Sequence, residues 1–345
     1  MTDQSIRDYF QNRVVLVTGG AGAIGSNLVR RLADSRVGTV IVLDNLISGF
    51  RRNLPDLPNV LFVSGDIRSD NDLRQVFRMR PSVIFHLAAF FANQNSVDHP
   101  VECEHVNGEG LLKILEYATI SGCCERFVFT NSEGGAYGES SSLPYSEDDV
   151  CLDVATPYYI SKLAGEAYCW FYLRQHGLPV SVLRLFNSFG PGEAPGSYRN
   201  VIPNFIYWAL KGLPLPLTGH PHMARDFVYV DDTVDAIVRA GVVASAVGTP
   251  INIASGRPTR TYELAEMINT RVENCAGTRI IPPRKWDNRP VIIGNGSRAQ
   301  ALLGFQPTVS VEEGLDRTVE WFRANWNWIQ KNASFLPGKN PALPC

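Results

Sequence analysis

The sequence predicts a doubly wound α/β fold, a parallel sheet with helices on both faces, followed by a smaller α/β lobe. Three observations predict it. Short, continuous apolar runs rich in β-branched residues recur through the first half, as strands buried on both faces require. Stretches of helical length and period separate them, and this alternation implies right-handed crossovers. The first strand runs directly into a glycine-rich turn and a helix start.

Strands are expected at 14–18, 40–44, 60–64, 83–87, 127–130 and 180–185, and helices at 24–34, 70–77, 101–120 and 157–176. After Asn187 the texture changes, and 188–199 and 211–222 are rich in Gly and Pro. Helical patterns follow at 201–210, 231–243, 262–273 and 311–325, with short strands at 227–230, 251–254 and 279–281. Residues 1–187 are therefore expected to form a dinucleotide-binding Rossmann domain to which 226–254 returns. Residues 188–225 and 255–345 are expected to form the smaller, substrate-binding lobe. The tail beyond Gln330 lacks periodicity and is expected to be a surface extension.

The chain has 345 residues, 45% of them apolar and 19% charged, which excludes a disordered chain. Its 32 basic and 34 acidic residues leave a formal charge of -2, so no basic excess points to nucleic acid or a membrane surface. No apolar run approaches the roughly 18 residues of a membrane span. The polar N-terminus lacks an apolar signal core, and a cytoplasmic location is expected. Seven cysteines (Cys103, Cys123, Cys124, Cys151, Cys169, Cys275 and Cys345) form no CxxC pair and read as reduced structural thiols. The six histidines do not cluster, so no metal site is expected. Cys345 stands without the three further residues of a prenylation signal, and prenylation there is not expected.

Gly19, Gly22 and Gly25 have GxxGxxG spacing after the first strand, with Ala23 and Ile24 opening the helix. Glycines there let the backbone turn tightly and approach a pyrophosphate at the helix N-terminus. Asp44 follows Gly25 by 19 residues, at the end of the second strand and beside Asn45. A carboxylate there accepts from ribose hydroxyls and repels a 2′-phosphate, which favours NAD over NADP. Arg51 and Arg52 lie beyond the strand end and read as solvated loop charges. Asp66, before Ile67, either reaches the adenine amine or serves as a helix cap or turn residue.

Tyr158 and Lys162 stand at i, i+4 in Pro157–Tyr158–Tyr159–Ile160–Ser161–Lys162, on one helix face. An ammonium about 4–6 Å from a phenol, at an effective dielectric of about 20, stabilises phenolate by roughly 3–4 kcal/mol. That lowers the tyrosine pKa by about two to three units and supplies a general base. Tyr159 is three residues from Lys162 and points elsewhere. At the end of the fifth strand, where ligands meet an open α/β sheet, Ser132 is the first candidate to hydrogen-bond a substrate oxygen, with Thr130 second.

Together these segments resemble the extended short-chain dehydrogenase/reductase superfamily, and within it the NAD-dependent nucleotide-sugar epimerases and dehydratases. The resemblance spans about residues 13 to 325, through TGGAGAIGS, LDNLISG, GDIR, HLAA, VNGEG, YYISK, LRLFNSFGPG, RDFVYVDD and NIASG. It implies a catalytic triad of Ser132, Tyr158 and Lys162. It implies a structural, cofactor-side asparagine at Asn107 and a cofactor cleft lined by the backbone of Leu87, Ala88 and Ala89. On the substrate side it implies Asn187 and Arg225 at the sugar diphosphate, with Arg284 and Asp287 near the nucleoside. Lys285 and Asn288 offer the same spacing as that last pair. It also implies a homodimer, built on helices 101–120 and 157–176.

Within the family, the stretch Ser132–Glu133–Gly134–Gly135–Ala136–Tyr137–Gly138 is similar to a variant found in some 4-epimerases. It lacks the Asp-Glu pair typical of dehydratases. The resemblance thus implies 4-epimerisation of a nucleotide sugar, a UDP-sugar, through a transient 4-keto sugar. Dehydration or decarboxylation is the alternative, because Glu133 follows the catalytic hydroxyl directly. A non-catalytic NAD-binding regulator is a third reading, against which the intact triad argues. Phe90 and Phe91 stand where relatives often carry polar or small residues near the sugar.

Overall fold

The apolar runs of the first half become strands β1 (Val14–Thr18), β2 (Thr39–Asp44), β3 (Val60–Ser64), β4 (Val83–His86), β5 (Arg126–Ser132) and β6 (Val180–Leu185). Shorter strands follow: β7 (Asn187–Phe189), β8 (Leu215–Thr218), β9 (Ala224–Tyr229), β10 (Pro250–Ile253), β11 (Pro258–Arg260), β12 (Thr278–Ile281) and β13 (Val291–Ile292). The structure is a computed structural model, and it describes residues 2–35, 37–220, 222–287, 289–336 and 341–342. Asn288 and Cys345 lie outside the described residues.

Seven strands form one parallel sheet in the order β10-β6-β5-β4-β1-β2-β3. The order reverses between β1 and β4, and a crevice opens at that point beyond the strand ends. Two apolar layers cover the sheet. On one face Leu28, Val29 and Leu32 of the helix Ala23–Ala33 meet Val234, Ile237 and Val238 of the helix Val230–Val242. On the other lie Leu73, Leu111, Ile114 and Cys169, from the helices Asp70–Phe77, Gly110–Ile120 and Pro157–His176.

Residues 226–229, expected to return to this sheet, do not. They belong to β9, which pairs with β7, β11 and β13 in a second sheet. The return begins with the helix Val230–Val242 and ends in β10 beside β6. The tail is also more than a surface extension. Ser334 bridges Gly196, and Phe335 packs its ring 5.5 Å from those of Tyr207 and Trp208. The polar N-terminus forms a helix, Asp3–Phe10, capped by Thr2, because Ile6 and Phe10 supply a buried face.

The expected helix 101–120 is interrupted. Pro100–Glu104 and Gly110–Ile120 are joined by a π-helical turn, His105–Glu109, which holds Asn107. Such turns insert one extra residue and re-aim a side chain. Among the described residues no helix is long and apolar enough to cross a membrane, and no three His, Cys, Asp or Glu residues group to hold a metal.

Candidate active site

The turn after β1 is built by glycines that permit close approach. Gly19 has a φ of +69°, and a Cβ there would lie 2.6 Å from the Ala88 nitrogen. The chain leaving β4 therefore passes flush against the turn, with Leu87 N–H donating to the Thr18 carbonyl at 3.1 Å and Ala88 N–H to Thr18 Oγ1 at 3.2 Å. A Cβ on Gly25 would lie 2.2 Å from the Gly19 carbonyl oxygen, so the helix start can seat on the turn. Gly22 begins the helix Ala23–Ala33 with no side-chain cap. The N–H groups of Ala23, Ile24 and Gly25 thus have no intrahelical partners, and they form an anion cradle.

Asp44 lies buried at the end of β2 and accepts from Ala21 N–H at 2.9 Å and Leu46 N–H at 2.8 Å. Burial holds its pKa above the ordinary carboxylate value, opposed by those two donors. Asn45 donates to Asp66 at 2.9 Å. Arg68 donates to both Asp66 oxygens, at 3.0 and 2.9 Å, and holds that carboxyl down at about 2. Ser69, not Asp66, caps the helix Asp70–Phe77, and Ile67 is buried between them. The uncapped helix start, the Asp44 carboxylate and the partly exposed Leu87, Ala88 and Ala89 fit a dinucleotide. Asp44→Ala is expected to weaken NAD binding about 10-fold or more and to relax discrimination against NADP, read by calorimetric titration of both. Undiminished NAD affinity would remove the ribose from Asp44.

Arg51 and Arg52 are exposed, yet they lie over aromatic rings. Arg51 stands 5.0 Å from the Phe62 ring centroid and Arg52 4.5 Å from that of Trp328. Asn107 ties the cleft to the helix behind it. Its Oδ1 accepts from Phe90 N–H at 2.7 Å, and its amide donates to Ser161 Oγ at 2.9 Å.

The helix Pro157–His176 starts at Thr156, whose side chain accepts from Tyr159 N–H, and ends at left-handed Gly177. Against its first turns lies the short helix Glu133–Tyr137. A Cβ on Gly134 would meet the Tyr159 ring at 2.1 Å, and one on Gly135 would meet the Lys162 Cβ at 2.8 Å. The paired glycines therefore bring Ser132 and Glu133 against the Tyr158–Lys162 face. Lys162 Nζ lies 5.8 Å from the Tyr158 ring centroid and donates to the Thr130 carbonyl at 2.8 Å. Among the described residues no group hydrogen-bonds the Tyr158 hydroxyl. The Tyr159 hydroxyl, by contrast, accepts from Asn93 at 2.9 Å and Arg289 at 3.2 Å. Ser132 Oγ donates to Glu133 Oε2 at 2.9 Å. Thr130 is turned inward, donating to the His86 carbonyl at 3.0 Å.

The expected depression of the Tyr158 pKa does not appear in the free protein. Burial raises it above its ordinary value, and the carboxylate of Glu133 adds to the rise. Burial also pushes Lys162 down to about 8, because its charged form loses hydration.

On the second lobe, Arg225 donates to Asp287 at 2.7 Å and to the Arg289 carbonyl at 3.2 Å. Asn187 donates to the Asp226 carbonyl at 3.3 Å. The Arg284 guanidinium stands 5.4 Å from the Trp286 ring centroid, and the Trp286 indole donates to Gln94 at 3.0 Å. Lys285 and Trp286 line a cavity of about 520 Å³ with Val97, Glu139, Asp153 and Ala155.

Sequence reasoning missed Arg289. It is buried and forms an ion pair with Glu133 at 3.5 Å. Among the described residues its Nη1 has no hydrogen-bond partner. Nothing in its polar surroundings in the sequence marks it for burial, since lobe docking places it.

Residues 15–254 match the NAD dependent epimerase/dehydratase family. Among solved structures, an epimerase of the methanogen Methanothermobacter thermautotrophicus superposes with a TM-score of 0.95 at 45% identity, covering 96% of this chain and 98% of that one. A UDP-glucose 4-epimerase of Mycolicibacterium smegmatis is 39% identical over 89% of this chain and 98% of its own length. A UDP-N-acetyl-alpha-D-glucosaminuronate decarboxylase of Bacillus cytotoxicus is 32% identical over 89% of this chain and 97% of its own.

Proposed function

Because the chain belongs to the NAD-dependent epimerase/dehydratase family, we propose that it inverts C4 of a UDP-sugar. The carrying observation is a Tyr158 hydroxyl with no hydrogen-bond partner among the described residues, beside Lys162, with Arg225 and Asp287 paired next to the Arg289 that meets Glu133. The N–H groups of Ala23, Ile24 and Gly25 would hold the NAD pyrophosphate, and Asp44 the adenosine ribose. Gly19, Gly22, Asn45, Asp66, Ile67, Leu87, Ala88, Ala89 and Asn107 shape that cleft. When bound, NAD supplies a hydride acceptor that also returns what it takes.

Tyr158 takes the proton from the sugar 4-hydroxyl. Lys162 positions the nicotinamide end and favours the phenolate electrostatically. Ser132 leaves Glu133 to hydrogen-bond the 4-oxygen. Arg225, with Asn187, Arg284 and Asp287, keeps hold of the nucleotide diphosphate, because an arginine fork matches phosphate oxygens. The 4-keto sugar can then turn about that anchor and present its other face, and Tyr158 returns the proton.

NMR of the purified protein in D₂O with UDP-, dTDP-, GDP- and CDP-sugars tests this reading. The expected product differs from its substrate only at C4 and carries no deuterium at C5. A second reading, decarboxylation of a nucleotide hexuronate, draws on the free Nη1 of Arg289 beside Glu133, a donor suited to a carboxylate. Deuterium at C5 with loss of carbon dioxide would replace the first reading with the second.

We also infer a cytoplasmic homodimer. The six described cysteines are free thiols, as a reducing compartment keeps them. Ile160, Tyr168 and Phe171 expose apolar surface along one face of the helix Pro157–His176, which an identical helix would cover. Light scattering reads the mass directly, and a monomer at micromolar concentration would sink the assembly.

A further inference from the structure

Tyr159 stands next to the proposed base, and Gly134, with no Cβ, lets its ring lie against the short helix Glu133–Tyr137. Its hydroxyl oxygen accepts twice, from Asn93 Nδ2 at 2.9 Å and from Arg289 Nη2 at 3.2 Å. The Asn93 amide is held in that orientation from behind. Thr156 Oγ1 accepts from Tyr159 N–H and donates to Asn93 Oδ1 at 2.8 Å, which leaves Nδ2 to face the phenol. Two donors fill the acceptor capacity of a phenol oxygen, so its own proton must be donated elsewhere. Burial and then the Glu133 carboxylate raise the pKa above its ordinary value, which keeps that proton in place. Among the described residues no acceptor lies within hydrogen-bond distance of it.

Arg289 Nη1 is also a donor without a partner among the described residues. Because Nη2 of the same guanidinium donates to the Tyr159 hydroxyl, the two unused donors stand side by side, and both residues are buried. A buried donor without an acceptor costs about 1–3 kcal/mol. The pair lies between the two ends of the proposed sugar site. On one side Glu133 meets Arg289 through Oε1 at 3.5 Å and accepts from Ser132 through Oε2 at 2.9 Å. On the other, Arg225 donates to the Arg289 carbonyl and to Asp287. A sugar hydroxyl that accepted here would bring a proton of its own, while the carboxylates of Glu133 and Asp287 are already engaged. An oxygen that only accepts fits both donors at once.

We propose that Tyr159 is a specificity-determining residue, donating its hydroxyl proton to a sugar substituent whose oxygen only accepts. The ligand chemistry is a carbonyl or carboxylate oxygen, carried by an acetamido or a uronate group, in preference to a plain hydroxyl. The proposal rests on the reading of this cleft as a UDP-sugar site, and not on which carbon is inverted.

Calorimetric titration of the NAD-loaded full chain tests it, in a Tyr158→Phe background that binds without turnover. The ligands are UDP, UDP-glucose, UDP-N-acetylglucosamine and UDP-glucuronate. One of the last two is expected to bind about 10-fold or more tighter than UDP-glucose. A preference for the N-acetyl sugar names the amide carbonyl, and one for the uronate names the carboxylate. Adding Y159F is expected to bring the preferred sugar down to UDP-glucose, with UDP and UDP-glucose held within about twofold. Asn93→Asp keeps the ring but sets an acceptor opposite the phenol, which draws the proton inward. The same loss of preference is expected, and this variant carries the test if Y159F does not fold. UDP-glucose bound as tightly as both other sugars would overturn the proposal. So would an equal loss for all three sugars in Y159F, by reducing Tyr159 to a support for the Glu133–Arg289 pair. No affinity for UDP at all would overturn the reading of the cleft itself.

Discussion

Tyr158→Phe is expected to lower turnover by about 10²- to 10⁴-fold, the usual worth of general acid–base catalysis, while nucleotide-sugar binding survives. The ring and its packing remain, and only the ionisable oxygen is lost. The neighbouring tyrosine is the internal control. Tyr159 has its hydroxyl committed to Asn93 and Arg289, so it cannot accept a substrate proton without breaking that arrangement. Tyr159→Phe is expected to disturb the Glu133–Arg289 pair and raise KM more than it lowers kcat. Equal kcat losses in the two variants would undo the assignment of the base. The pH profile gives an independent reading. Burial and then Glu133 hold the Tyr158 phenol above its ordinary value. Removing that negative charge in Glu133→Gln favours phenolate, so the acid limb of kcat should move to lower pH. A limb that stays put or moves to higher pH would mean that another group carries the proton.

Glu166→Ala is expected to destabilise the fold by about 3–5 kcal/mol, because it leaves the buried Arg184 charge without its partner. Glu166 lies on the helix Pro157–His176, one turn beyond Lys162. It accepts from Arg184 Nη2 at 2.7 Å and Nε at 3.1 Å, and from Asn131 at 2.5 Å. Arg184 in turn donates to the Tyr137 hydroxyl at 3.1 Å and the Glu147 carbonyl at 2.8 Å. One carboxylate thus ties the helix to β5 and β6 directly beneath Ser132 and Lys162. Replacing both members, as in Glu166→Leu with Arg184→Met, removes the stranded charge and is expected to recover much of the stability. Urea unfolding reads both. A single-variant loss below about 1 kcal/mol would mean that Arg184 finds water or another anion, and the pair would then be no anchor.

The sequence by itself determined the doubly wound sheet and the local geometry of the proposed cofactor end of the site. Those signals are local: the period of apolar residues, three glycines at fixed spacing, an acid at the end of β2, and a Tyr–Lys pair one turn apart. Each is written within a single strand–turn–helix unit, whose geometry the backbone dictates. The tertiary structure decided what depends on contacts distant in the chain. It put β9 into the second sheet, brought Arg289 onto Glu133 and Tyr159, laid the C-terminal tail on Gly196 and Tyr207, and carried Arg199 across to Ser48. It also reversed the expected pKa of Tyr158. Spacing along a helix fixes how near Lys162 stands, whereas burial and the charge on Glu133, both consequences of packing, fix how much its ammonium can offset.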